Sequence, residues 1–230
     1  MAAVNVLCAG AVKAALQGPA GEFERGRPGS LRCAYGPVGS LRARLEAGEP
    51  ADLLILSRPV LDALAGEGRV EPGSIADIGT VGVGIAVRRG APLPDIASAQ
   101  ALRARLLEAE SVCYGDPAHG DSSGTHFAKV LQMLGLAEAV AGKAVLAAAG
   151  LEVVEIVGGG RAALGATQSS VIAADPSVVL AGLLPPPLQH TTTYALALAP
   201  SAGPWAREFA ARLRQADAAA HFRRAGFAPA

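Results

Sequence analysis

The chain has 230 residues, enough for one large domain or two compact lobes. Hydrophobic residues make up 51% and charged residues 17%, which excludes a disordered chain, and with only 4% aromatics the core must be built from Ala, Val, Leu and Ile. Twenty basic residues balance twenty acidic ones with no basic stripe among aromatics, which argues against a nucleic-acid partner, while helix N-termini still offer local positive potential to a small anion.

In chain order, Val4-Asn-Val-Leu-Cys-Ala-Gly reads as a buried strand ending in a glycine turn. A helix over residues 12–25 follows, loosened at Gly18-Pro19. Residues 31–35 read as a strand, 40–47 as a short helix with Leu41 and Leu45 at i, i+4, 52–57 as a third strand and 59–65 as a helix. This alternation implies a mostly parallel sheet covered by helices. Residues 80–89 form an apolar strand whose glycines suit a crossing between lobes, and Ser98 caps a helix through Leu107. Residues 111–117 read as strand then turn, and 125–134 as a helix ended by Gly135. Val153-Val-Glu-Ile-Val reads as a strand, residues 161–164 as helix and Ser170-Val-Ile-Ala-Ala as a strand. Leu183-Leu-Pro-Pro-Pro-Leu is a stiff connector marking a lobe boundary. The β-branched run Thr191-Thr-Thr-Tyr-Ala-Leu-Ala-Leu is a strand, the return crossing, before helices over 205–213 and 218–224.

Cys8, Cys33 and Cys113 are odd in number and far apart, which fits small buried hydrophobes in a reducing compartment. No Cys/His spacing suits a metal, and neither a metal nor another cofactor is expected. The chain runs from Met1 straight into a strand, without a basic n-region, long apolar stretch or cleavage site. The expectation is a cytoplasmic protein with no membrane insertion, or a periplasmic one if a leader has been removed.

Three strand-to-helix turns combine small residues with a helix start: Ala9-Gly10-Ala11, Gly36-Pro37-Val38-Gly39-Ser40 and Gly120-Asp121-Ser122-Ser123-Gly124-Thr125. Small side chains let a ligand approach the backbone, and the first N–H groups of each helix lack internal acceptors. Such turns lie at the carboxyl ends of strands, where open α/β sheets bind ligands. The candidate ligand-binding residues are Gly10, Ala11, Val12 and Lys13; Gly39 and Ser40; Ser122, Ser123, Gly124, Thr125 and His126; and Thr167, Gln168 and Ser169 of a fourth polar cluster. Each turn also has a purely steric reading, and Thr167 to Ser170 reads equally as a surface turn. Lys13 is either a solvated helix lysine or an anion partner. Asp52, before a buried strand, reads as a capping or hinge hydrogen-bond acceptor. No Ser-His-Asp order, nucleophile elbow, Walker loop or dinucleotide fingerprint occurs.

The stretches Leu7-Cys-Ala-Gly-Ala-Val-Lys-Ala-Ala-Leu, Leu45-Glu-Ala-Gly-Glu-Pro-Ala-Asp-Leu-Leu-Ile-Leu-Ser, Tyr114-Gly-Asp-Pro, Ala128-Lys-Val-Leu-Gln-Met-Leu-Gly-Leu and Ala220-His-Phe-Arg-Arg-Ala-Gly-Phe occur in order. Through them nearly the whole chain resembles the periplasmic molybdate-binding proteins, solute receptors of the type II binding-protein fold. The resemblance implies two α/β lobes, residues 1–80 with 191–230 and residues 81–190, with a ligand cleft between them. It implies a small-molecule anion as partner, and an ABC transporter as well if the protein is exported. The family's hydroxyl donors fall on Ala11, near Val38 or Gly39 (with Ser40 adjacent) and near Ala174. Each buried oxyanion group left unpaired costs about 1–3 kcal/mol, so a carboxylate is as suitable a guest as molybdate or tungstate. Tyr35-Gly36 with Ser40-Leu41, Thr167-Gln-Ser-Ser and residues 189–194 are similar to the branch of this fold that contains aconitate isomerase.

The leading expectation is therefore capture of an oxyanion or a di- or tricarboxylate, as a receptor does. The alternative is an isomerase that shifts a double bond in an unsaturated carboxylate, with His126 as base and Lys13 as charge stabiliser or second base. A third reading is a ligand sensor that signals to a separate partner.

Overall fold

The computed structural model describes residues 3–230. In chain order the elements are β1 (Val4–Ala9), α1 (Lys13–Glu24), β2 (Leu31–Gly36), α2 (Val38–Glu46), β3 (Leu53–Ser57), α3 (Arg58–Gly66), β4 (Ala76–Arg88), α4 (Ala99–Glu108), β5 (Val112–Gly115), α5 (Ser122–Met133), α6 (Ala137–Ala141), β6 (Ala144–Ala147), α7 (Gly150–Gly158), β7 (Leu164–Gln168), α8 (Ser169–Ala174), β8 (Val178–Leu183), β9 (Thr191–Leu198), α9 (Pro204–Leu213) and α10 (Ala216–Arg224). The chain divides into two compact units, one of residues up to Thr80 with Thr192–Ala230, the other Val81–Thr191.

In the first unit β2, β1 and β3 are parallel and β9 pairs antiparallel with β3. All five residues of β3 are buried, which is why that strand reads as an unbroken apolar run. α1 continues through Pro19, which is buried, instead of loosening there. Its Phe23 packs on Phe209 of α9 with ring centroids 4.9 Å apart. Asp52 acts as an acceptor: its Oδ2 takes the Asn5 backbone N–H at 2.8 Å and the Asn5 side-chain amide at 3.3 Å, tying the starts of β1 and β3 together.

In the second unit β6, β5 and β7 are parallel, while β4 pairs antiparallel with both β7 and β8. Its core gathers Val83, Ile85, Leu102, Leu106, Phe127, Val130 and Ala166 among others. Gln189 lies in the segment between β8 and β9, and its side-chain amide imitates a strand partner. It accepts the Val83 N–H at 2.9 Å and donates to the Val83 carbonyl at 2.9 Å.

Three expectations for this unit are corrected. Val153 to Val157 is not a strand but the middle of α7. Val153, Val154, Ile156 and Val157 are buried and Glu155 is exposed, a helical burial pattern that overrides β-branched propensity. Residues 161–163 are not helical, and β7 begins at Leu164, every one of its residues buried. The run Ser170 to Ala174 is α8, not a strand. The strands β6 and β8 and the helix α6 carry too little periodicity to be read from sequence. Helix starts also move: α2 begins at Val38, two residues before Ser40, and α5 begins at Ser122, three residues before Thr125.

Candidate functional site

The parallel registers gather the candidate turns within each unit. In the first, Ala9 stands opposite Gly36, so the chain leaves β1 and β2 side by side at the carboxyl edge. Gly10–Val12 then forms a 3-10 turn leading into α1. Ala11 and Val12 are buried and offer only backbone toward a ligand. Lys13 is exposed, its Nζ 5.7 Å from the centre of the Tyr35 ring, a cation–π distance. Burial, then the neighbouring Cys33, pushes the Tyr35 phenol well above its ordinary value, so it remains a neutral O–H. Gly39 and Ser40 are the second and third residues of α2, whose N-cap Pro37 makes no side-chain cap bond. The first N–H groups of that helix therefore have no acceptor within it.

In the second unit Gly115 stands opposite Ala147 and Tyr114 opposite Ala166, so the turns after β5, β6 and β7 emerge together. Asp121, 8% exposed, links the first two. Its Oδ1 accepts the Ser123 hydroxyl at 2.6 Å and the Gly124 N–H at 2.7 Å, and its Oδ2 accepts the Gly150 N–H at 3.1 Å. One carboxylate thus caps α5 and also takes the first N–H of α7, two positive helix ends holding one fixed anion. The Ser123 oxygen lies 3.4 Å from the Thr167 hydroxyl. With its own proton directed at Asp121, Ser123 is the acceptor of that contact. Ser123 and Thr167 direct their hydrogens within the unit.

Two glycines make this arrangement possible. A Cβ on Gly124 would overlap the Gly115 carbonyl, and one on Gly150 would come within 2.5 Å of the Thr167 hydroxyl oxygen. Only bare backbone lets α5 and α7 approach β5 and β7 this closely. Gly124 N–H and Thr125 N–H bond Asp121 and Ser123 is 1% exposed, so the donors that half-buried Ser122 carries, its N–H and its hydroxyl, are the ones left at the start of α5. Gln168 and Ser169 are buried at the β7–α8 junction, 3% and 9% exposed, so the fourth cluster is not a surface turn. Ala174, where the resemblance set a tyrosine after a strand, instead closes α8 and is exposed.

His126 follows Ser122 by four residues, so the two lie on one face of α5, one turn apart. Its Nε2 is 2.7 Å from the Leu188 carbonyl. A carbonyl only accepts, so Nε2 carries a proton and the lone pair of the neutral ring lies on Nδ1. His190 packs against it with ring centroids 5.0 Å apart.

Asp121, Gly150 and His190 escaped sequence reasoning. Asp121 had a local signal, an N-cap residue type directly before a helix start. Gly150 and His190 had none, because their partners are 29 and 64 residues away in the chain. Cys8 and Cys113 are buried, and burial pushes the Cys113 thiol up to about 12. Among the described residues no group of three or more His, Cys, Asp or Glu could hold a metal ion, and no helix is long and apolar enough to cross a membrane.

Two α/β units with small-residue turns at the carboxyl ends of their strands are the architecture of the type II periplasmic-binding fold. The chain belongs to the bacterial extracellular solute-binding protein family, whose profile matches residues 4–228. It is 32% identical to an aconitate isomerase of a Pseudomonas species over 201 residues, 85% of this chain and 75% of that protein. The periplasmic molybdate-binding protein of Azotobacter vinelandii shares its fold with a TM-score of 0.81, 18% identity and 99% coverage of both chains. The sulfate-binding protein of Mycobacterium tuberculosis does so with a TM-score of 0.75 and 18% identity over 100% of this chain and 87% of that one.

Proposed function

We propose that the protein captures a small di- or tricarboxylate at its helix starts and moves the carbon–carbon double bond of that acid by an allylic proton shift. The observation that carries this reading is the face of α5 that presents Ser122 and His126 one turn apart. The N–H and hydroxyl of Ser122 at the positive end of α5 suit a carboxylate and the enolate-like charge that develops beside it. His126, with Nε2 committed to Leu188, has Nδ1 left to take or give the proton. Kinship with an aconitate isomerase at 32% identity supports the same chemistry. The test is incubation of the purified protein with cis- or trans-aconitate in deuterated water, followed by NMR. Interconversion with deuterium entering the allylic positions is the expected result; binding without exchange would refute it.

A second reading, a receptor that holds an inorganic oxyanion without chemistry, is favoured by the Ser122 N–H and hydroxyl donors at the start of α5, which need no acid or base. It requires that molybdate, tungstate or sulfate raise the melting temperature at micromolar concentrations.

A further inference from the structure

We infer that His190 is the second acid–base group of the proton shift, paired with His126 across their ring contact. This rests on the isomerase reading above. Moving a double bond by one position requires one carbon to lose a proton and another to gain one. A single imidazole must reach both carbons in turn, whereas two adjacent imidazoles can each serve one.

The geometry favours two. His126 sits in the second turn of α5, and the Leu188 carbonyl, 2.7 Å from Nε2, stabilises the ring when it is an imidazolium. His190 is two residues further along the segment that carries Leu188. Its ring lies 5.0 Å from that of His126, and it is exposed, hence open to a ligand. The segment is fixed, because Gln189 is clamped to Val83 and also accepts the His190 N–H at 2.8 Å. Partial burial first, then His126 and then Lys129 lower the His190 ring below its ordinary value, which favours its neutral form. The charged groups acting on His190 are thus His126 and Lys129, both on α5.

The step balances. Neutral His190 takes a proton as the C–H bond of the substrate CH2 breaks, and the electron pair passes into conjugation with the carboxylates. The far alkene carbon takes a proton from the His126 imidazolium, and the double bond settles one position along. His190 then returns its proton to His126, directly or through solvent. The reverse reaction exchanges the roles, and no oxidant or co-reactant is needed.

The experiment compares wild type, His190→Phe and His190→Gln with cis- and trans-aconitate as substrates. Phe keeps the ring packing and removes the proton-carrying nitrogens. The expected result is a fall in kcat of about 100-fold or more with KM within about 3-fold. The variants also lose the acid limb of the wild-type pH–rate profile, which a merely structural role would leave in place. Both are expected to melt with wild type, as His190 is exposed; His190→Gln takes over should Phe disturb folding. Retention of kcat within about 3-fold together with the acid limb would overturn the assignment while leaving the isomerase reading intact. Absence of turnover in the wild type would remove both.

Discussion

Replacing Asp121 by Ala removes one carboxylate and strands three donors on two helices: the Ser123 hydroxyl, Gly124 N–H and Gly150 N–H. Hydrogen bonds to a charged acceptor contribute about 1.5–3 kcal/mol each, and a buried donor left alone costs a similar amount. The bonds share one acceptor, and water can enter the vacated space, so the contributions do not simply add. A loss of about 3–5 kcal/mol is expected, which in a chain of this size lowers the melting temperature by roughly 6–20 °C. Asp121→Asn keeps one carbonyl acceptor but turns an NH2 toward a donor, and its loss should be about half as large. Urea denaturation followed by far-UV circular dichroism measures both. An Asp121→Ala protein within about 1 kcal/mol of wild type would refute the view that this carboxylate holds α5 and α7 in place.

Four further outcomes are measurable on the same protein. Ser122→Ala should weaken carboxylate binding by about 3- to 10-fold with little change in stability, whereas Ser123→Ala should lower stability by about 1–2 kcal/mol and leave affinity nearly unchanged, as titration calorimetry beside thermal melts will show. Gln189→Ala should cost about 1–3 kcal/mol by leaving Val83 N–H and C=O without their partner, read by urea denaturation and by faster amide exchange at Val83. Half-buried Cys33 should react with a thiol reagent before Cys8 and Cys113 in the folded protein. Because the Cys113 thiol is raised from 9.0 to about 12, its contribution to stability is complete below pH 9 and is lost as pH rises toward 12; a Cys113→Ala variant should show a shallower alkaline loss.

Much of the framework was legible in the chain. Among the first six elements β1 and β3 announce themselves through buried apolar runs, and the three turns at residues 9–13, 36–40 and 120–125 were marked from local composition alone. The failures cluster in residues 144–183, where short Ala- and Val-rich segments carry no polar alternation. Val153, Val154, Ile156 and Val157 favour strand by type, and they are helical because β5 and β7 present an apolar face that a helix covers.

Sequence by itself determined the α/β class and marked the small-residue strand-to-helix turns, because patterning, capping residues and turn glycines act over a few neighbouring positions. The tertiary structure alone decided what those residues do. It committed the Ser123 and Thr167 hydroxyls inward, set Asp121 between two helix starts and laid His190 against His126, since each of these follows from chain segments tens of residues apart being brought into contact.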